Sequence, residues 1–230
     1  MDLVQFSISR KAAFAGALLP YRIHINGQYV GTLLNGQTLT VDVPRTNAYY
    51  IEDDAFSKEN AIIYDNGQRQ RRILLKRIGG WRTVSYTEFH VEQDGKFVQA
   101  PSYPLDRLYA AILEDRMDAL SPNEQVLAVC LEFEYAIQDG LQTVLASENL
   151  FSITSALQKV GADQYADLLQ NVIRVDFSDV KFPISHQQAA QLRGRIERAD
   201  EIFQNNASAS TALHRGFVRY LLANLAPFPK

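Results

Sequence analysis

Gln99-Ala100-Pro101-Ser102-Tyr103-Pro104 is the stretch on which the reading of this chain turns. It holds two prolines and no apolar period. Proline has no amide donor and disfavours helix at the residue before it, so neither a strand ladder nor a helix runs through. Before the stretch, apolar and polar residues alternate, with Asn-Gly pairs between the runs. After it, apolar residues recur every three or four positions. Charge changes as well: 12 Lys+Arg against 10 Asp+Glu in residues 1–100, and 11 against 16 in residues 104–230. The expected fold class is α+β. An antiparallel β-sandwich or small barrel over 1–100 is joined by a linker at 101–104 to an all-α helical bundle over 105–230.

The strand signals follow in order. Leu3 to Ser9 alternates, with Val4, Phe6 and Ile8 on one face. Tyr21, Ile23 and Ile25 share a face, which puts His24 on the polar side. Asn26-Gly27 then leads directly into Gln28 to Leu33. An Asn-Gly pair between two such runs is a strong hairpin signal, because a type I′ turn needs positive φ at both central residues. Asn35-Gly36 precedes Thr38 to Val43, and Pro44-Arg45-Thr46-Asn47 precedes Tyr49-Tyr50-Ile51. Asn66-Gly67 and Gly79-Gly80 are expected to close two further hairpins.

Past Pro104 the period is helical. Residues 105–120 read as a first helix, with Leu108, Ile112 and Leu113 inward and Asp106, Glu114, Asp115 and Asp118 outward. Ser121-Pro122-Asn123-Glu124 opens the clearest helix: Ser121 caps, Pro122 fits the first turn and Glu124 completes a capping box. Val126, Cys130, Phe133, Ile137, Leu141 and Val144 then form one apolar stripe, with Glu124, Glu132 and Asp139 opposite. Cys130, inside that stripe, reads as a buried small hydrophobe. Ser185 and Gln188 start another helix with Ala189, Leu192, Ile196, Ala199 and Phe203 as its stripe. Asn205 to Ser210 reads as a polar turn. A last helix runs through Leu213, Phe217, Tyr220 and Leu221 and stops before Pro227.

Two resemblances accompany this reading. Ile25-Asn26-Gly27-Gln28-Tyr29-Val30-Gly31, within residues 21–52, resembles the core of PEGA-like β-sandwich repeats of bacteria, with Arg45 standing after Pro44 where those repeats carry Gly. It implies a spacer or adhesion unit. Residues 120–172 resemble the helical domain of an uncharacterised bacterial family that includes a dimeric DNA-mimic protein. The matching elements are Leu120-Ser121-x-x-Glu124-Gln125, Glu132-x-Glu134, Asp139-Gly140-Leu141-Gln142-Thr143-Val144-Leu145, and Ala156-Leu157 through Gly161-Ala162, Tyr165-Ala166 and Leu168-Leu169. In the third element Asp139 replaces a Gly, and Leu141 and Leu145 replace aromatics. This resemblance implies a helical fold and a bacterial source, and leaves a homodimer open.

The chemistry of catalysis is not visible in the sequence. His24, His90, His186 and His214 lie far apart, and none has a partner at metal-ligand spacing. No Gly-rich phosphate loop occurs. Glu132 and Glu134 point to different sides of a helix. The expected cofactor and metal sets are empty, and the chain reads as no enzyme. Ala12 to Pro20 is too short to span a bilayer and lacks a cleavage signal, so the chain reads as unprocessed and cytoplasmic. Asp106 to Glu148 holds nine acids against two bases, Arg107 and Arg116. Glu114, Asp115, Glu124, Glu132 and Asp139 are therefore the expected partner-binding residues, facing a basic protein. Arg69, Arg71, Arg72, Lys76, Arg77 and Arg82, near Trp81, Tyr86 and Phe89, carry a second reading. Cations interleaved with aromatics bind nucleic acid, whereas cations on an edge strand guard it against mispairing. The charges split between the two strand faces, which favours the guard. The function read from the sequence is protein–protein association by a non-enzymatic accessory protein. The alternative is a nucleic-acid-related regulator, acting by acidic mimicry or through the basic strands.

The helix reading sets a graded expectation. Ser121→Ala should lower stability by about 1 kcal/mol, and Phe133→Ala by about 3–5 kcal/mol. Urea unfolding monitored by circular dichroism measures both; two equally mild losses would mean that Phe133 is not in the stripe.

Overall fold

The computed structural model describes residues 2–12, 19–55, 57–78 and 86–224. Most of Ala12–Pro20, together with Gly79-Gly80, Trp81, Arg82 and Pro227, lies outside the described residues. The chain divides into two compact units, Met1–Leu105 and Asp106–Lys230.

The first unit holds two sheets. β1 (Leu3–Arg10), β4 (Thr38–Pro44), β7 (Gln70–Ile78), β8 (Tyr86–Gln93) and β9 (Lys96–Gln99) form one, in the order β4-β1-β7-β8-β9. β2 (Tyr21–Ile25), β3 (Gln28–Leu33), β5 (Ala48–Glu52) and β6 (Asn60–Tyr64) form the other, in the order β3-β2-β5-β6. Period-two alternation delivers Val4, Phe6, Ile8, Ile73 and Leu75 from the first sheet to the same core as Ile23, Ile25, Tyr49, Ile51 and Ile63 from the second. Phe6 and Tyr49 meet edge-on across this core with ring centroids 4.8 Å apart. Burying side chains of this size contributes about 1.5–3 kcal/mol each.

The sheets are not wholly antiparallel: β1 and β7 run parallel, with Ile8 beside Ile73. Asn26 and Gly27 take φ of 52° and 71°, as a type I′ hairpin requires, and join β2 to β3. The other Asn-Gly pairs behave differently. Gly36 and Gly67 have positive φ, but Asn35 and Asn66 do not, and both turns carry the chain from one sheet to the other. The second two-residue hairpin is Asp94-Gly95, φ 50° and 77°, between β8 and β9; the sequence reading passed over it. β7, read as a possible edge, is central, with β1 on one side and β8 on the other.

The far side of the four-stranded sheet is also buried. His24, Tyr50, Glu52, Asn60 and Ile62 are each 5% exposed or less, which corrects the placement of His24 on a polar face. His24 stands opposite Glu52 in the β2–β5 register. Residues 101–104 are not a loose tether. The Ile62 amide donates to the Pro101 carbonyl at 2.7 Å. The Asn60 side chain donates to the Tyr103 carbonyl at 3.0 Å and accepts from its amide at 2.8 Å. The stretch thus lies along β6 and covers what would be an open edge, with prolines that cannot extend a ladder.

In the second unit, α1 (Leu105–Leu113) stops earlier than its period suggests. Asp115 takes φ of 50°, and the Arg116 amide reaches the Ala111 carbonyl at 2.8 Å, a left-handed helix end. Leu113 is consequently 85% exposed, not inward. A single 3-10 turn, Met117–Ala119, leads to α2 (Pro122–Gln138), whose capping box forms as read. Gly140 breaks the stripe, and α3 (Leu141–Leu145) carries its last members, with the Leu141 amide held by Asp200 Oδ1 at 2.8 Å. α4 (Leu150–Val160) and α5 (Asp163–Asn171) follow, then a π-helical turn, Val172–Asp176. α6 (His186–Gln204) opens on a second capping box, Ser185 with Gln188. α7 (Ala207–Asn224) begins inside the segment read as a polar turn, with Asn206 Oδ1 accepting the Ala209 amide at 3.2 Å. Phe133 meets Tyr165 edge-on and Tyr165 stacks on Phe203, which joins α2, α5 and α6. Among the described residues no helix is long and apolar enough to cross a membrane.

The Asn60 clamp gives a test of the linker. Asn60→Ala removes the acceptor of the buried Tyr103 amide, a loss worth about 1–3 kcal/mol, while the Tyr103 carbonyl keeps the Leu105 amide at 2.8 Å. The substitution should lower stability by that order and speed amide hydrogen exchange at Ile62 and Tyr103; unchanged exchange would mean that the segment is held by other contacts.

Candidate functional site

The five acids expected to bind a partner each occupy a different local setting. Glu114 follows the end of α1 and pairs with Arg116, both exposed. Asp115 is the left-handed residue that ends α1. Glu124 is largely consumed by its own helix: Oε2 accepts the Ser121 amide at 2.9 Å, and Oε1 lies 3.3 Å from Arg107 Nη1. Burial pushes the Glu124 carboxyl up, and the Ser121 hydrogen bonds with the Arg107 charge bring it below its ordinary value. Glu132 accepts from Ser147 Oγ at 3.0 Å and from Asn149 Nδ2 at 3.3 Å, tying α2 to the turn before α4. Asp139 is exposed at the C-terminal cap of α2.

At about 100° per residue, Glu124, Glu132 and Asp139 fall within a sector of about 80° on α2. Glu114 and Asp115 belong to another element. The same sector holds a residue the sequence reading did not single out. Tyr135 is 65% exposed, three residues after Glu132 and four before Asp139. Phe151, at the start of α4, is 69% exposed and lies two residues past the Asn149 that bonds Glu132. Glu148, also exposed, sits in the same turn. The signal for Tyr135 was present: an aromatic off the Val126–Ile137 stripe has no core to enter. Tyr135 and Asp139, one and two turns after Glu132 on α2, and Glu148 and Phe151, within two residues of its partner Asn149, make up what is termed the Glu132 patch.

The basic stretch is dispersed. Arg71 is 4% exposed at the end of the sheet core, and its guanidinium donates to the Tyr64 carbonyl at 2.6 Å. Arg77 donates to the Tyr21 hydroxyl at 3.4 Å. Arg72 is on the other face, 3.0 Å from Glu92 and over the Phe97 ring at 5.8 Å. Lys76 faces His90, itself 3.0 Å from Glu88. Phe89 is a core residue. Acids of β8 thus stand across from the cations of β7 in register.

A second cluster was missed because its members are distant in sequence. Glu134 on α2, Tyr165 on α5, and Ser210 and His214 on α7 come together inside the bundle. Burial raises the Glu134 carboxyl above its ordinary value, against a hydrogen bond from Gln138 at 3.2 Å and the nearby His214. Burial, aided by the Glu134 charge, pushes the Tyr165 phenol up to about 12. Glu134 Oε2 is buried without a hydrogen-bond partner among the described residues. Cys130 is fully buried and its thiol is pushed well up by desolvation, which makes it a packing residue. Among the described residues no group of three or more His, Cys, Asp or Glu could hold a metal ion. No family model, no curated protein and no solved structure matches the chain.

The raised Glu134 carboxyl has a signed consequence. Its folded-state pKa lies above the unfolded value of about 4.3, so its contribution is complete below that pH and is lost as pH rises through the folded value. Glu134→Gln should therefore raise the melting temperature at pH 7 and flatten the fall in stability between acid and neutral pH. A variant less stable than the parent at pH 7 would show that the charged carboxylate is the favoured form.

Proposed function

We propose that this chain is a non-enzymatic association protein. Its two sheets pack face to face as a β-sandwich spacer, and its helical unit docks a cationic segment of a protein partner. The observation that carries this is Tyr135, exposed on α2 between Glu132 and Asp139, with Phe151 and Glu148 across the Glu132 bridge. Exposed aromatics are the residues that anchor protein interfaces. Their faces attract Arg and Lys, and the surrounding carboxylates add complementary charge. The unit from Asp106 onward carries 16 acids against 11 bases, so its field also attracts a cation. The internal pairing of the β7 cations with β8 acids supports a protein partner over a nucleic acid. A cytoplasmic bacterial setting belongs to the same reading.

Isothermal titration with an Arg-rich peptide and a Glu-rich peptide of equal length tests it. The Arg-rich peptide should bind and the Glu-rich one should not. Tyr135→Ala combined with Asp139→Asn should weaken binding by about 10-fold, the equivalent of about 1.4 kcal/mol. A duplex DNA shifted at physiological salt, and released when Arg69 and Arg72 are neutralised, would overturn the proposal in favour of nucleic-acid binding.

A further inference from the structure

We infer that the trough between α2 and α4, beside the Glu132 patch, seats a short helix of that cationic partner, held with its basic end at Glu132. The inference rests on the reading of the patch given above. The two helices run antiparallel, since Glu132, toward the end of α2, bonds Asn149 at the start of α4. Pro122, Gln125, Val126 and Val129 line the trough from one side, and Ser152, Ser155, Ala156 and Lys159 from the other. Both sets follow the i, i+3, i+4, i+7 spacing, so the trough is about two helical turns long, about 10 Å. Its volume is about 360 Å³.

The shape of the trough comes from its side-chain sizes. The floor is apolar: Val126, Val129 and Ala156 are 8%, 8% and 4% exposed. The α4 wall is built of Ser152 and Ser155, both exposed, where a longer apolar side chain would close the gap. A floor of small apolar groups under short polar walls accepts the side chains of a third helix at one-turn intervals, as helix-in-groove recognition does. The ends differ in charge. Lys159 stands at one end. Glu132, reached through the lining residue Asn149, and the exposed Glu148 stand at the other. An occupant with Lys or Arg at one end and acidic or neutral residues at the other matches both, and only in one direction.

Three acetylated, amidated peptides of about four helical turns, sharing one Leu/Ala stripe, provide the test. One carries Lys at one end and Glu at the other, one carries Lys throughout, and one Glu throughout. Fluorescence anisotropy with the full chain should rank the bipolar peptide first and the all-Glu peptide last. Ser155→Trp fills the trough and should weaken the bipolar peptide by at least about 10-fold. Lys159→Glu, at an exposed position in the last turn of α4, should reverse the order and favour the all-Lys peptide by about five-fold. If Asp139→Asn with Glu148→Gln weakens binding but Ser155→Trp and Lys159→Glu do nothing, the trough inference falls and the patch reading stands. If the neutralised variant also binds as before, the patch reading falls and takes the inference with it. A sedimentation-detected dimer dispersed by Ser155→Trp would make a second copy the occupant and overturn the inference.

Discussion

A methyl group at Gly216 would stand 2.3 Å from the Val160 carbonyl oxygen, and the helical unit is arranged around that close approach. Only a residue without a side chain lets the α7 backbone come so near the end of α4. From there the other contacts of α7 follow. Arg219 reaches the Val160 carbonyl at 3.4 Å, placing a cation at the C-terminus of α4, where the helix dipole favours it. Gly161 turns the chain into α5 in a left-handed conformation, and α5 presents Tyr165 between Phe133 and Phe203. Within two turns before the contact, α7 supplies His214 and Ser210 to the same region; one turn after it, the Tyr220 hydroxyl meets Asn123 Oδ1 at 3.0 Å.

The same constraint explains what is left uncovered. With Ile153, Leu157 and Val160 buried, α4 turns Ser152, Ser155 and Lys159 outward. α2 is buried almost all round, with every residue from Val126 to Leu131 below 9% exposure. Outside the trough that Pro122, Gln125, Val126 and Val129 line, the aromatic of α2 that emerges, Tyr135, lies three residues after Glu132 and four before Asp139. Single exposed hydrophobics are ordinary on protein surfaces. Tyr135 and Phe151 differ because each lies within three residues of a group in the hydrogen bonds that tie α2 to the start of α4.

The division of the chain, the strand phases and both capping boxes were legible, because each is set by local chemistry: an alternation, a hydroxyl three residues before a Glu or Gln, a pair of residues that tolerate positive φ. Strand partners were not. Asn26-Gly27 and Asn66-Gly67 are the same dipeptide, yet one closes a hairpin and the other crosses between sheets, because Ile63 and Ile73 must reach one core from different sheets. The end of α1 was hidden for a related reason: Asp115 adopts a conformation usually left to Gly, which no period reveals. Of the five acids, spacing alone placed Glu124, Glu132 and Asp139 on one side of α2 but did not show that Glu124 is bound to its own cap. The buried Glu134 group needs three helices to assemble, so no window of sequence contains it.

In the proposed reading, charge assigns the recognition to the helical unit. In the sheet unit, the cations of β7 meet acids of β8, or the interior, within the unit itself: Arg72 with Glu92, Arg71 with a backbone carbonyl. Little of that charge is left to act at a distance. The helical unit has five more acids than bases, and its exposed carboxylates Asp139 and Glu148 are not spent on helix ends as Glu124 is. A surplus of this kind acts at a distance of about 8–10 Å at physiological salt, raising the rate at which a cationic partner arrives. Residence is a separate matter, decided by what the partner buries once there. Tyr135, Phe151 and the apolar floor between α2 and α4 are the groups able to supply it, and they lie within the reach of the charges that do the steering.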